Sequence, residues 1–243
     1  MNNISRAIAI LGIATALGGL TPAVYAASVV NPNYPSLPMP ATETNAQELF
    51  NRGVEKSDQG DLHGAVEDFN RVVQLNPTFV EAYCNRGLAR AALGEYKAAM
   101  ADFNSALRID PRHADAYTKR GTLMIELGNF PGALAEFNTA LRFDANFADA
   151  YYNRGLAYSG LGNAKAAIAD YDRAIQLQPE MAEAYGNRGT VRYQLGDKSG
   201  AIADLQKAAR IFSAQGNVPA HHQALTFLQT IQQSPTAKPP VQP

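Results

Sequence analysis

Residues 80–113 read VEAYCNRGLARAALGEYKAAMADFNSALRIDPRH, and their key positions recur at a fixed distance of 34 residues along the chain. Within this stretch apolar residues recur at intervals of three and four on both sides of Gly94, which is the pattern of two amphipathic helices. A glycine at the end of the first helical pattern favours a left-handed turn there. The stretch therefore predicts a helical hairpin that repeats along the chain.

The same markers occur five times. The first marker is an Arg-Gly pair preceded by Asn in four copies and by Lys in one, at Asn51-Arg52-Gly53, Asn85-Arg86-Gly87, Lys119-Arg120-Gly121, Asn153-Arg154-Gly155 and Asn187-Arg188-Gly189. A second glycine follows seven residues later, at Gly60, Gly94, Gly128, Gly162 and Gly196. Nine residues beyond each of these stands a large apolar residue: Phe69, Phe103, Phe137, Tyr171 and Leu205. The small residues let helix backbones approach closely, and the large ones are predicted to fill the space between them.

This register of glycines, alanines, aromatic residues and closing prolines resembles the tetratricopeptide repeat, a helix–turn–helix unit of the same length. The resemblance extends from Asn45 to about Phe212 and implies an all-α fold, a right-handed α-solenoid of five tandem repeats. We place these at about 46–79, 80–113, 114–147, 148–181 and 182–213. A helix at 217–233 is predicted to cap the last apolar face, since a solenoid needs its terminal face covered.

Both ends of the chain are predicted to lie outside the repeats. Arg6 precedes an uncharged apolar run, and Val24-Tyr25-Ala26 supplies small residues at the positions that a signal peptidase reads, so residues 1–26 are predicted to be a signal peptide cleaved after Ala26. An uncleaved membrane anchor is the alternative. The proline-rich segments 27–44 and 234–243 are predicted to be a linker and a disordered tail.

The predicted compartment follows from that export signal. Repeats rich in Asn-Arg-Gly and Ala-Ile-Ala-Asp resemble those of bacterial proteins, cyanobacterial ones among them. The protein is therefore expected in the periplasm, or in the thylakoid lumen of a photosynthetic source, and on a membrane only through an uncleaved anchor.

Composition and the distribution of reactive side chains argue against chemistry in this chain. The net charge of −1 lacks the basic excess of a nucleic-acid binder. His63 and His113 are isolated in different repeats, and His221 and His222 are adjacent on a helix, where they point apart. The sequence predicts no catalytic, cofactor or metal site, no small-molecule substrate and no enzyme activity. A hydrolase or transferase would need catalytic groups that it does not show.

The residue two positions before each first glycine is the candidate binding residue. Resemblance to the family places the first helix of each repeat on the concave side, with these residues exposed in the groove: Asn51, Asn85, Lys119, Asn153 and Asn187. An asparagine amide complements a peptide backbone, and this ladder is similar to the one with which the repeats of O-linked N-acetylglucosamine transferases grip extended peptides. The resemblance implies that Asn85, Asn153 and Asn187 contact a peptide, whereas Lys119 could hold a ligand acid. The alternative is that the asparagines are solvated or bonded within the solenoid.

Two further features bear on the groove. Phe50, Tyr152 and Tyr193 stand at groove positions where the fold does not demand an aromatic, so they are predicted to be exposed anchors. An acid follows each repeat's arginine at a distance of sixteen residues, which predicts an ion pair between the two helices: Arg52 with Asp68, Arg86 with Asp102, Arg120 with Glu136, Arg154 with Asp170 and Arg188 with Asp204.

The sequence therefore predicts a non-enzymatic scaffold or adaptor that binds a protein or peptide partner in its concave groove. The alternative is a structural scaffold that associates with copies of itself.

Overall fold

The computed structural model describes residues 41–233, with side chains from residue 45 onwards. Within this range the chain forms eleven helices and no strand. In chain order they are α1 (Ala41–Asp58), α2 (Leu62–Leu75), α3 (Val80–Ala92), α4 (Tyr96–Ile109), α5 (Ala114–Glu126), α6 (Phe130–Phe143), α7 (Ala148–Gly160), α8 (Ala164–Leu177), α9 (Ala182–Gln194), α10 (Lys198–Ala214) and α11 (Val218–Gln233). The predicted signal peptide, most of the predicted linker and the predicted tail lie outside the described residues.

The second glycine of each repeat ends the first helix as predicted. Gly94 has φ of 79°, its N–H donates to the carbonyl of Ala91, and the N–H of Glu95 donates to the carbonyl of Arg90 at 2.8 Å. These bonds satisfy carbonyls that the end of a helix leaves without partners. The corresponding glycines of the other repeats also have positive φ, between 76° and 87°.

The first glycine brings the two helices of a hairpin into close contact. A Cβ atom added at Gly87 would lie 2.7 Å from Cε1 of Phe103, whose side chain is completely buried. Gly53 has the same relation to Phe69, and Gly155 has it to Tyr171. The glycine and the aromatic residue therefore fit together as one packing unit, as the recurrence of both in the sequence predicted.

These helices confirm the all-α solenoid class. The chain forms two compact units, one up to Asn129 with α1–α5 and one from Phe130 with α6–α11. Within each unit every helix packs on the next along the chain, and α1 also contacts α3, α3 contacts α5, and α7 contacts α9. The odd-numbered helices α1 to α9, here called the first helices, thus lie beside one another within each unit.

The two ends of the helical region differ slightly from expectation. Helix α1 begins at Ala41 and so includes the last four residues of the predicted linker, because the last proline of that segment is Pro40 and nothing after it prevents helix formation. At the other end α11 packs Phe227 and Ile231 against Ala201 and Leu205, as the capping prediction requires. Among the described helices none combines the length and apolar character needed to cross a bilayer.

Candidate peptide-binding surface

The fixed spacing of arginine and acid produces an ion pair inside each hairpin of a single unit. The Arg86 Nη2 atom lies 2.6 Å from Oδ1 of Asp102, and the carboxylate is buried. Equivalent pairs with N–O distances of 2.5–2.7 Å join Arg52 to Asp68, Arg154 to Asp170 and Arg188 to Asp204. The predicted pair is thus confirmed in the four repeats whose two helices belong to one unit.

Each arginine after the first also holds the preceding repeat. Nη1 of Arg86 donates to Oδ1 of Asn70 on α2 at 2.8 Å. The same bond runs from Arg120 to Asn104, from Arg154 to Asn138 and from Arg188 to Asp172. Sequence reasoning missed this contact, although its signal was present in the recurrence of a polar residue directly after each aromatic. The arginine therefore fixes the first helix against its neighbours and positions the asparagine beside it.

The asparagines of the second and fourth repeats are held alike. Nδ2 of Asn85 donates to the carbonyl of Glu81 at 2.8 Å, and Nδ2 of Asn153 donates to the carbonyl of Asp149 at 2.8 Å. Both side chains are partly exposed. Among the described residues, Oδ1 and the remaining amide hydrogen of each have no hydrogen-bond partner. One donor is thus used within the helix, and the other polar atoms are left for a ligand or water.

The remaining members of the predicted ladder lie in other surroundings. Asn51 is exposed and accepts a hydrogen bond from Gln47. Asn187 is only 5% exposed, and its Nδ2 donates to the hydroxyl of Tyr152 at 3.0 Å. Lys119 is 5% exposed and its ammonium pairs with Asp115 in the same helix, so the expectation of an exposed lysine ready for a ligand acid is wrong.

Among the predicted aromatic anchors, the expectation of exposure is wrong for Phe50, whereas Tyr152 and Tyr193 are partly exposed. Phe50 is 4% exposed because its ring stacks on Phe79 at 4.9 Å, and Phe79 directly precedes the next first helix. Tyr152 is partly buried beside the cluster containing Met181, which occupies the same position before α9. Tyr193 is partly buried, with its ring edge-on to Phe227 of the capping helix at 5.9 Å. These aromatics pack against the elements that follow them in the stack.

Acidic residues occupy the first turn of four of the first helices, where the helix dipole favours them: Glu81, Asp115, Asp149 and Glu183. The pKa of one of them, Glu183, is raised above its ordinary value. Burial raises the pKa of Glu183, a hydrogen bond from its own backbone N–H opposes the rise, and the negative charge of Asp149 adds to it.

His113 is not isolated, contrary to the sequence-based expectation. Its ring lies with Cys84 and Asp115 in a group whose potential metal-binding atoms are within 4.8 Å of one another. Nδ1 of His113 accepts from the N–H of Ala116, so the neutral ring carries its hydrogen on Nε2, and Asp115 pairs with Lys119. Burial raises the pKa of the Cys84 thiol to about 12. The Cys84 thiol is therefore protonated at neutral pH, and Nδ1 of His113 and the carboxylate of Asp115 already have partners within the protein.

The paired helices, the left-handed glycines and the aligned first helices define a tetratricopeptide-type repeat protein. Family models described as TPR repeat match residues 55–94 and 123–162, and models described as tetratricopeptide repeat match 80–113, 148–181 and 182–214. Together they cover more than half of the chain, which belongs to the tetratricopeptide repeat family. Proteins of this family are in general non-catalytic scaffolds for protein–protein interaction.

Several solved structures share the fold. The structure of MamA is 25% identical, with a TM-score of 0.56 over 68% of this chain and 96% of that one. YrrB, described as a TPR protein with an unusual peptide-binding site, is 22% identical, with a TM-score of 0.54 over 78% of this chain and 98% of its own. A thermophilic TPR protein of Thermus thermophilus, TTC0263, is 20% identical, with a TM-score of 0.66 over 78% of this chain and 100% of its own. No curated protein matches the sequence.

Proposed function

We propose that this protein is a non-enzymatic adaptor that holds an extended segment of a partner protein against its first helices. The observation that carries the proposal is the shared geometry of Asn85 and Asn153. Each side chain is fixed by a 2.8 Å hydrogen bond to its own helix while one acceptor and one donor remain unused. An amide fixed in this way binds a peptide group with little loss of side-chain entropy.

The test uses short peptides selected from a random library on the purified protein, because the natural partner is not identified. Replacing Asn85 and Asn153 together by Ala should weaken each selected peptide by about tenfold, whichever of the two units it binds, because each amide can form two hydrogen bonds with a peptide group. The control replaces the exposed amides Gln74 of α2 and Gln229 of α11 by Ala, which should leave affinity unchanged. Equal affinity of the Asn85/Asn153 variant and the wild type would refute the proposed contacts.

The proposed compartment is extracytoplasmic, supported by the basic residue, apolar run and small residues of the first 26 positions. Expression of the full chain in a bacterium with an intact export system tests this. A mature N-terminus near Ala27 in the periplasmic fraction is expected. An unprocessed chain in the cytosol would contradict the proposed location.

Self-association is a second candidate, favoured by the outer face of the capping helix. Leu225 is 41% exposed, whereas Val191, which stands 34 residues earlier, is 2% exposed. Leu225 and Leu228 line a cavity of about 410 Å³ together with His221 and Arg210 of α10. Light scattering distinguishes the candidates, since a self-associating protein should become monomeric on Leu225→Glu, and a wild-type monomer rules this candidate out.

A further inference from the structure

Four of the first helices carry an acid in the first turn and a polar residue one turn later, but the two are used differently. In α3 and α7 the asparagine amide bonds to the carbonyl of the acidic residue itself. In α5 the ammonium of Lys119 neutralises Asp115. Helix α9 follows neither pattern, because the amide of Asn187 is bound by Tyr152 of the neighbouring first helix.

The position of Asn187 leaves one polar atom unused. Its side chain is 5% exposed, and its Nδ2 is held by the Tyr152 hydroxyl at 3.0 Å. Among the described residues, Oδ1 of Asn187 accepts no hydrogen bond. Among the described residues, Nε of Arg90 is the only side-chain nitrogen or oxygen that is both fully buried and without a hydrogen-bond partner. Because Oδ1 of Asn187 has no partner either, it must be accessible to solvent. It is a fixed acceptor that faces the space beside α9.

Glu183 lies one turn before Asn187 on the same face, a separation of about 5–6 Å between Cβ atoms. No cation of the described residues forms an ion pair with its carboxylate. Burial raises its pKa, a hydrogen bond from its own backbone N–H partly offsets this, and the charge of Asp149 raises the pKa as well, so the site disfavours a second negative charge. A positive charge brought to this point would relieve both effects, since it would pair with the carboxylate and offset the repulsion from Asp149.

We propose that Glu183 and Asn187 form a subsite that takes one cationic side chain, lysine or arginine, of the bound peptide. The carboxylate oxygens and Oδ1 of Asn187 are acceptors, and an ammonium or guanidinium carries several donors. The inference rests on the proposed function, because it names the chemistry of the segment that the first helices hold. The proposed subsite also distinguishes α9 from α5, because in α5 Lys119 already supplies the cation that pairs with the acidic residue.

The test is a paired scan of one peptide selected on the purified full chain. Each position is replaced in turn by lysine and by norleucine, which keeps the four side-chain carbons of lysine and lacks the ammonium group. At one position lysine should bind about fivefold to tenfold more tightly than norleucine, a typical range for a partly desolvated ion pair. Glu183→Gln should abolish that preference, whereas the control Glu81→Gln at the equivalent position of α3 should retain it.

The outcomes separate this inference from the proposed function. A peptide that binds through Asn153 but prefers lysine at no position, or keeps its preference in Glu183→Gln, overturns the cationic subsite alone. A protein that selects no peptide overturns both. Thermal unfolding of Glu183→Gln serves as the fold control, and because the substitution keeps the side-chain shape and removes a disfavoured charge, the midpoint should not fall.

Discussion

The buried carboxylate of Asp68 makes the stability of the folded protein depend on pH. Its side chain is buried, and the hydrogen bonds from Arg52, assisted by Lys56, hold its pKa at about 2 although burial alone would raise it. The ordinary pKa of an aspartate is about 3.9. Because the native pKa is depressed, this group stabilises the folded state above about pH 4, and the contribution is lost as pH falls towards about 2.

Asp68→Asn should therefore lower the free energy of unfolding at about pH 7 by on the order of 1–2 kcal/mol, with the low end favoured because Arg52 is half exposed. The difference in free energy of unfolding between Asp68→Asn and the wild type should shrink as the pH approaches about 2, where the wild-type carboxylate is itself protonated. Urea unfolding at several pH values measures both curves. Glu67→Gln, one residue earlier and more exposed, is the matched control. A loss of unfolding free energy in Asp68→Asn that is the same at every pH would contradict the assigned ion pair.

At the scale of elements, the two glycines of a hairpin are required for different physical reasons. Gly87 permits contact with Phe103, since an added Cβ would lie 2.7 Å from the ring, whereas Gly94 has φ of 79° and nothing within 4 Å of an added Cβ. Alanine at Gly87 overpacks the hairpin, and alanine at Gly94 strains the backbone. Each should destabilise the protein by about 1–3 kcal/mol.

Combining each with Phe103→Leu distinguishes the two causes. With Gly87→Ala the double substitution should cost less than the sum of the two single ones, because the smaller side chain makes room for the Cβ. With Gly94→Ala the costs should add, since the two sites share no contact. Denaturant unfolding of the single and double variants gives both cycles. Additive costs at Gly87 would show that close approach to the ring is not what the glycine provides.

The sequence predicted these elements well because their determinants lie within one repeat. Helix periodicity, the left-handed glycine and the Arg86–Asp102 pair all recur at fixed spacing and need no knowledge of neighbours. Phe50 was misjudged because its burial depends on Phe79, and the position of Phe79 holds His113, Phe147 or Met181 in the other repeats. A contact between repeats whose partner varies leaves no periodic signal.

The candidate site could be predicted only in part for the same reason. Asn85, Asn153 and Asn187 are identical in sequence position, yet Asn187 is buried and bonded to Tyr152 of a neighbouring helix while the other two bond to their own helices. The environment that gives Glu183 its raised pKa likewise comes from α7 as well as α9. Which members of a ladder remain accessible is therefore a property of the stacked repeats.

At the scale of the whole molecule, partner binding is assigned to the first helices, and structural support is assigned to the even-numbered helices α2 to α10, here called the second helices. The second helices carry the aromatic residues and acids that hold the hairpins together, such as Phe103 and Asp102, and these are buried. The first helices carry the fixed amides and the acid of the proposed cationic subsite. Within either unit a partner should consequently contact the first helices, which are α3 in one unit and α7 and α9 in the other, and leave α2, α4, α8 and α10 untouched.

Photo-crosslinking tests this central claim most directly. A selected peptide carrying a photoreactive group is bound to the purified protein and irradiated, and the attachment sites are identified by mass spectrometry. Attachment is expected on the first helices close to Asn85, Asn153 or Glu183, and it should be lost in the Asn85/Asn153 double alanine variant. Attachment confined to the second helices, or to the face of the capping helix around Leu225, would contradict the assignment.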